Sequence, residues 1–437
     1  MKTKVFTLIC LILTSGIVWG QETNRNNTIG LNTERTAAIL DPTNYLRKAE
    51  IIAIALKNKS ERDQTITFGT SLISIFDFQK SNRNSKFGYL MRHPTSANEI
   101  GKTVSEFAVH SAQFSVLGRV NNWISMYAEA LYNPEQSFGP GTTTALGRNG
   151  LSLRRGFILL GDLEKYPLYA AIGKMDAPFG QPGSVNPFTN STNWHAFGGL
   201  GFGAQVSYLK GGLHLTAMAI QGGAQFRVLN APVDSTNVPS RLNNFSLDAC
   251  YTLQVGDNNS IKVGGSYLHG TSYVQGFPIQ HFHPGRENNP ATAIYTTIRW
   301  GDLELKGVYT KTLKVWPGTH NPNPPLDQYK ASKVSSLSIG AMYTFMKKTD
   351  WDYSLSTEFS NFVAGPKGSP WERQNQYVLG FCGQYRHASK LFVELFHTQG
   401  YSPLNFVSGG NLPDPGKTWS DREARSYGLV AGAMIFL

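Results

Sequence analysis

Residues 351–362 read WDYSLSTEFSNF. Trp351, Tyr353, Leu355, Thr357 and Phe359 fall on one parity, and Asp352, Ser354, Ser356, Glu358 and Ser360 on the other. A repeat of two belongs to an extended strand with unlike faces; here one face is greasy and the other carries two carboxylates. The pattern recurs. NFSLDACYTLQV sets Phe245, Leu247, Ala249, Tyr251, Leu253 and Val255 against Ser246, Asp248, Cys250, Thr252 and Gln254. GLGFGAQVSYLK and SLSIGAMYTF repeat it, with Ala204 and Val206, then Ile339 and Tyr343, on their apolar rows. These runs last about 10–12 residues, and a tilted strand needs roughly 9–11 to cross a bilayer.

The separators alternate in length. Short ones carry turn chemistry: Asn121-Asn122, Asp162 to Pro167, Gly211-Gly212, Gly256 to Asn259, Gly301-Asp302, Lys347 to Asp350 and His387 to Lys390. Between them lie long stretches rich in Pro, Asn and Gly, at 81–103, 133–149, 181–198, 227–243, 274–289, 320–332, 364–374 and 404–425. Seven short and eight long connections join sixteen strands. A water-soluble sandwich has no reason to sort its loops by length, whereas a transmembrane barrel does. The expected fold is therefore all-β: a transmembrane antiparallel up-and-down β-barrel of about sixteen strands, spanning residues 64–437. At that size side chains no longer fill the interior, and the charged rows face an aqueous lumen. Trp123, Trp300 and Trp351 lie beside short turns, where an interfacial belt would need them.

The first twenty residues have a basic start, an apolar stretch from Val5 to Leu13 and a small residue at Gly20, the pattern of a cleaved secretory signal. Removing Lys2 and Lys4 with it lowers the net charge from +11 to +9. No later run of about 18 apolar residues offers a membrane helix. The basic residues are scattered, and with export this excludes a nucleic-acid partner. The surplus predicts a mild preference for anions. Cys250 and Cys382 are too few for a disulfide scaffold and belong to the eighth and fourteenth barrel strands, so free thiols are expected. Residues 21–63 differ from the rest: helix-like stretches are broken at Pro42, with Asp41 placed to cap the helix beyond it. They read as a periplasmic extension, with a small plug of the lumen as the alternative.

The closing segment SYGLVAGAMIFL resembles the last strand of outer-membrane barrels, which commonly end on an aromatic residue read by the barrel-assembly machinery; here Phe436 is penultimate and Leu437 last. The run Gly173 to Gly180 followed by NPFTNSTNWHAFGG resembles the third-loop region of specific porins, and LGRVNNWISMYAEALYNP resembles the same group. Within it the chain is similar to LbtU-type siderophore porins. That resemblance implies an outer-membrane channel for small hydrophilic, anionic solutes, including an iron chelate, with loop 181–198 narrowing the lumen. Membrane lipid and lipopolysaccharide, the assembly machinery and a small-molecule solute would be its partners, a homotrimer is compatible with it, and no cofactor is implied. Alternatives are a hydrophobic-compound channel with residues 21–63 as its hatch, and a surface adhesion or structural barrel.

Strand parity, together with the porin-like loop, nominates the lumen residues: Glu129, Arg154, Lys174, Asp176, His195, Asp248, Lys262, Arg299, Glu304, Lys306, Asp352, Glu358, Arg386 and Glu394. Arg154 and Arg155 are adjacent and so should point opposite ways. His281 and His283 share a face in an outer loop, but without a third ligand they make a poor metal site. No G-x-S-x-G elbow or phosphate loop is present, so an enzyme is not expected.

Overall fold

A computed structural model describes residues 28–44, 46–57, 64–88, 101–132, 151–181, 183–221, 242–274, 287–346, 350–402 and 414–437. The signal-like segment and the His281–His283 pair lie outside these residues. Strand β1 (Thr28–Leu31) and helices α1 (Thr33–Leu40) and α2 (Lys48–Ala55) come first. Sixteen longer strands follow: β2 (Gln64–Ser81), β3 (Thr103–Arg119), β4 (Ile124–Tyr132), β5 (Leu151–Leu160), β6 (Leu168–Asp176), β7 (Leu200–Lys210), β8 (Leu213–Ile220), β9 (Asn244–Gln254), β10 (Asn259–Leu268), β11 (Ala291–Trp300), β12 (Leu303–Thr312), β13 (Ser335–Phe345), β14 (Trp351–Val363), β15 (Arg373–Tyr385), β16 (Ser389–Tyr401) and β17 (Asp421–Phe436). A short helix α3 (Thr192–Phe197) lies between β6 and β7.

Each of the sixteen pairs antiparallel with the next, and β17 returns to β2 from Ser426↔Ser81 to Phe436↔Ser71, which closes the ring. Closure leaves no edge in hydrocarbon, where nothing would satisfy an open row of peptide groups. The count of sixteen read from the loops holds, as does the short–long alternation of connections. Thr70 exchanges backbone hydrogen bonds with Leu437 at 2.8 and 3.0 Å, and there β17 ends. β1 takes over the vacant edge, pairing parallel with β2 from Thr28↔Gln64 to Leu31↔Phe68.

The outer surface is the predicted apolar row: Phe107, Leu151, Val206, Leu247, Ile294, Ile339, Leu355 and Tyr427 are exposed. Their sequence neighbours Ser246, Ser338, Ser356 and Ser426 are buried inside, as is Glu358 on the same row as Ser356. Trp123 and Trp300 are exposed beside short turns. At the terminus Phe436 is fully buried on the inner row, whereas Leu437 ends the outer one.

Cys250 and Cys382 are free and buried on β9 and β15. Five strands lie between them, and neighbouring strands stand about 4.8 Å apart. Non-reducing electrophoresis should show no internal crosslink, before or after oxidant; a faster-migrating oxidised band would contradict the strand order.

Candidate functional site: the lumen and two segments inside it

Two pieces of chain lie within the ring. The first is the helical segment from Asn32 to Lys57. Asn32 caps α1, its side chain accepting from Arg35 N at 2.9 Å. Asp41 ends that helix and accepts from Thr43 N and Oγ1, so Pro42 sits in a tight turn rather than inside a helix. Ala37, Ile39, Leu40, Ala49, Ile52 and Ala53 are buried in one cluster with the wall residues Ile73, Ile75, Phe157 and Tyr169.

Four of its charges, Asp41, Arg47, Lys48 and Glu50, find oppositely charged partners on the wall. Asp41 pairs with Lys390 on β16. Arg47 meets Asp248 on β9 at 3.0 Å, and Lys48 meets Glu129 on β4 at 2.7 Å. Glu50 lies 3.4 Å from His214 on β8 and 3.9 Å from Lys262 on β10. Burial alone would raise the Glu50 carboxyl. The hydrogen bond and charge of His214, with Lys262 and Arg47, outweigh it and hold the pKa at about 2.

The second piece is the connection 177–199, which crosses the lumen along the wall. Gly180 N donates to Ser266 Oγ (2.8 Å), and Lys306 donates to Gly183 O. Glu358 accepts from Ser184 Oγ (2.9 Å) and Val185 N (3.4 Å). Glu394 accepts from Phe188 N (2.7 Å), Thr189 N and the Thr189 hydroxyl. Thr192 N reaches Ser360, Asn193 reaches Thr310, and Tyr273 Oη donates to Ala196 O (2.7 Å). The wall is thinned where this loop touches it. A Cβ on Gly340 would stand 2.5 Å from Val185 Cγ2, and one on Gly380 2.8 Å from Pro187 Cδ. The two inner segments also meet each other, through Ser184 N to Thr43 O and Asn190 Nδ2 to Pro42 O.

Most sequence-nominated residues fall inside. Glu129, Asp248, Lys262, Lys306, Glu358 and Glu394 contact the inner segments as described. Asp352 is on the inner row, and Arg299 pairs with Glu304 at 2.8 Å beside the Gly301–Asp302 turn. Asp176, last in β6, receives Arg155 Nη2 at 2.6 Å. His195 is buried in α3 with its ring edge-on to Trp194.

Three residues depart from the expected placement. Arg154 and Arg155 do not diverge. The β4–β5 register slips between Glu129 and Ala130, so Arg154 is an extra, bulged residue, and both guanidiniums reach Glu129, at 3.7 and 3.1 Å. Lys174 is not in the lumen. The inner row of β6 is Tyr169, Ala171, Gly173 and Met175, apolar because α2 lies against it. Lys174 therefore joins Ile172 on the lipid side, donating to Leu153 O at 3.0 Å with its ammonium 5.7 Å from the Phe202 ring. Arg386 lies beyond the end of β15 in a tight turn at φ +42°, exposed and paired with Asp350 at 2.8 Å.

Sequence parity missed Asp41, Arg47, Lys48 and Glu50, since they lie outside any strand, and His214, Tyr295, Arg155 and Lys390 on the wall. One signal was available. RRGFILL at 154–160 does not alternate, and a continuous apolar run marks a strand covered on both faces. Phe157 and Leu159 point inward against the helical segment, while Ile158 and Leu160 face outward.

No protein-family model matches the sequence. A protein of Coxiella burnetii (strain RSA 493 / Nine Mile phase I) described as a UPF0422 protein is 25% identical over 320 residues, which is 71% of this chain and 62% of that one. The chain thus spans under two thirds of its relative's length. Among solved structures, an anion-selective porin from Comamonas acidovorans superposes with a TM-score of 0.52 over 85% of this chain and 99% of its own, at 10% identity. The fold is that of outer-membrane porins. Pseudomonas putida OprB is a further neighbour, at TM-score 0.48 and 9% identity over 85% of this chain and 94% of its own. The porin-fold chain is accordingly a multi-pass β-barrel of the outer membrane, its lipid belt outside and its charged rows within.

Glu394→Ala removes the acceptor of two buried loop N–H groups, at a cost of about 1–3 kcal/mol for each. Amide exchange at Phe188 and Thr189 should quicken by about tenfold or more, and unchanged exchange would show that Glu394 does not hold the loop. The docked Glu50 pKa of about 2 lies below the ordinary 4.5. Its contribution to docking is full above pH 4.5 and is lost as pH falls through about 2. A fluorophore on Lys57→Cys should report release of the segment across that window, and Glu50→Gln should weaken that pH dependence, with the carboxylates of Asp41, Asp248 and Glu129 keeping their share.

Proposed function

We propose that this porin-fold chain is an outer-membrane channel for small hydrophilic solutes, with residues 32–57 as a hatch and loop 177–199 as a constriction. The supporting observation is how these segments are held. Beside an apolar cluster under the helical segment, they meet the wall through ion pairs and hydrogen bonds, each of which water or a polar solute can replace, and those polar contacts are of the kind a gate needs. The iron-chelate cargo rests on the resemblance of the third-loop region. The anion preference rests on the net charge, and the fold shared with the anion-selective porin from Comamonas acidovorans is in keeping with it. The buried apolar patch of Phe157, Leu159 and Tyr169 favours a second reading, a hatch over a path for hydrophobic compounds.

Planar-bilayer recording tests the proposal. Lys48→Glu sets a second carboxylate against Glu129 and should unseat the hatch, raising single-channel current severalfold over the native chain. The reversal potential in a salt gradient should lean toward chloride. A barrel that carries no ion current in either form would favour a surface or structural role instead. Growth of a deletion strain on limiting iron tests the chelate as cargo.

A further inference from the structure

Beneath Arg47 and Glu50 the wall has two charged poles. The first is Asp248, whose side chain is 1% exposed. Besides Arg47 it accepts from Ser266 Oγ at 2.5 Å and from Tyr295 Oη at 2.9 and 3.1 Å. These hydroxyls belong to the wall and aim the carboxylate into the lumen whether or not Arg47 is present. A buried carboxylate with neutral donors alone is poorly compensated and requires a cation. The second pole is His214 with Lys262. His214 stands opposite Cys250 on β9, and Lys262 opposite Thr252. Cys250 is two residues along the same inner row from Asp248 and Thr252 four, so along the strand direction His214 lies about 7 Å and Lys262 about 13 Å from Asp248, all on one face. Gly264, opposite Cys250, keeps the floor between them low; a Cβ there would stand 2.3 Å from the Tyr295 ring. The Gly180 carbonyl of the inward loop adds a third side, accepting from Arg47 Nη2 at 3.3 Å.

We infer that this patch is a binding site for solutes carrying both a guanidinium or ammonium group and a carboxylate, and that Arg47 and Glu50 are its resident occupants. Arg47 is the N-cap of α2 and Glu50 lies in its first turn, and both reach this patch of wall. They present a guanidinium and a carboxylate at the spacing the wall demands. A basic amino acid or a short peptide offers the same pair. A solute with only one charge leaves the opposite pole buried and unpaired, which is how such a site discriminates. The inference deepens the channel reading and rests on it for the route by which solute arrives.

The test uses the full-length Arg47→Ala/Glu50→Ala protein, in bilayers for blockade of current and in detergent for equilibrium dialysis. Three probes separate the poles: L-arginine carries cations and a carboxylate, agmatine only cations and glutarate only anions. Arginine should bind and block at a concentration about tenfold or more below the other two, a difference of about 1.4 kcal/mol. Adding Asp248→Asn should erase that preference, and the native chain, its site filled, should bind arginine about tenfold more weakly. Arg47→Gln/Glu50→Gln serves if the alanine pair does not fold. Current without arginine preference overturns the site and leaves the channel standing. Arginine binding without current upholds the site and overturns the channel.

Discussion

Hydrocarbon offers a peptide N–H no partner, and every other feature of this molecule depends on that constraint. It forces sixteen strands into a ring, fixes the β17–β2 seam, and requires outward side chains to be apolar whatever the inner ones do. Once the outside is so committed, chemical variety has only the lumen and the loops to occupy. Fourteen positions read as lumen-facing from parity and loop resemblance were therefore a reasonable search space, and most of them lie on the inner wall or on the segment packed against it; Asp176 ends β6 on the parity of Lys174 but is paired with the inward Arg155. Lys174 and Arg386 are the exceptions.

The interior obeys a different rule. A water-filled lumen hydrates its charges, but this one is occupied, so its charges must be paired within the protein. Glu129 shows this most fully: it gathers Lys48, Arg154 and Arg155 and also accepts from Tyr127. Removing any one cation leaves others, whereas removing the carboxylate would take the partner of Lys48 and Arg154 and leave Arg155 with Asp176 alone. Glu358 and Glu394 solve the same problem with the backbone and hydroxyls of loop 177–199. That loop is thus held by the charges that would otherwise make the wall costly to bury.

Strand number, loop order and the lipid belt were legible in the sequence because the membrane enforces one repeat on every strand. Arg154 was illegible because a bulge adds a residue without any local signature, and all parity beyond it shifts. Lys174 was misread because the usual contrast inverts where a helix, not water, covers the inner row of β6. The same inversion in RRGFILL pointed to an occupied lumen, but only to a reader willing to take lost alternation as a sign of cover on both sides. The four charges of residues 41–50 could not be paired from sequence, since their partners lie on strands as distant as β4, β9 and β16.

That dispersion has a mechanical meaning. Bonds around the ring hold each strand only to its neighbours and resist ovalisation weakly. A segment anchored at once to β4, β8, β9, β10 and β16 works like a hub with spokes, bracing the cylinder across its diameter. Its tether β1 occupies the seam strand itself, on the stretch that β17 leaves bare. The hub has all its rim attachments only once the rim is complete, although its residues precede every barrel strand in the chain.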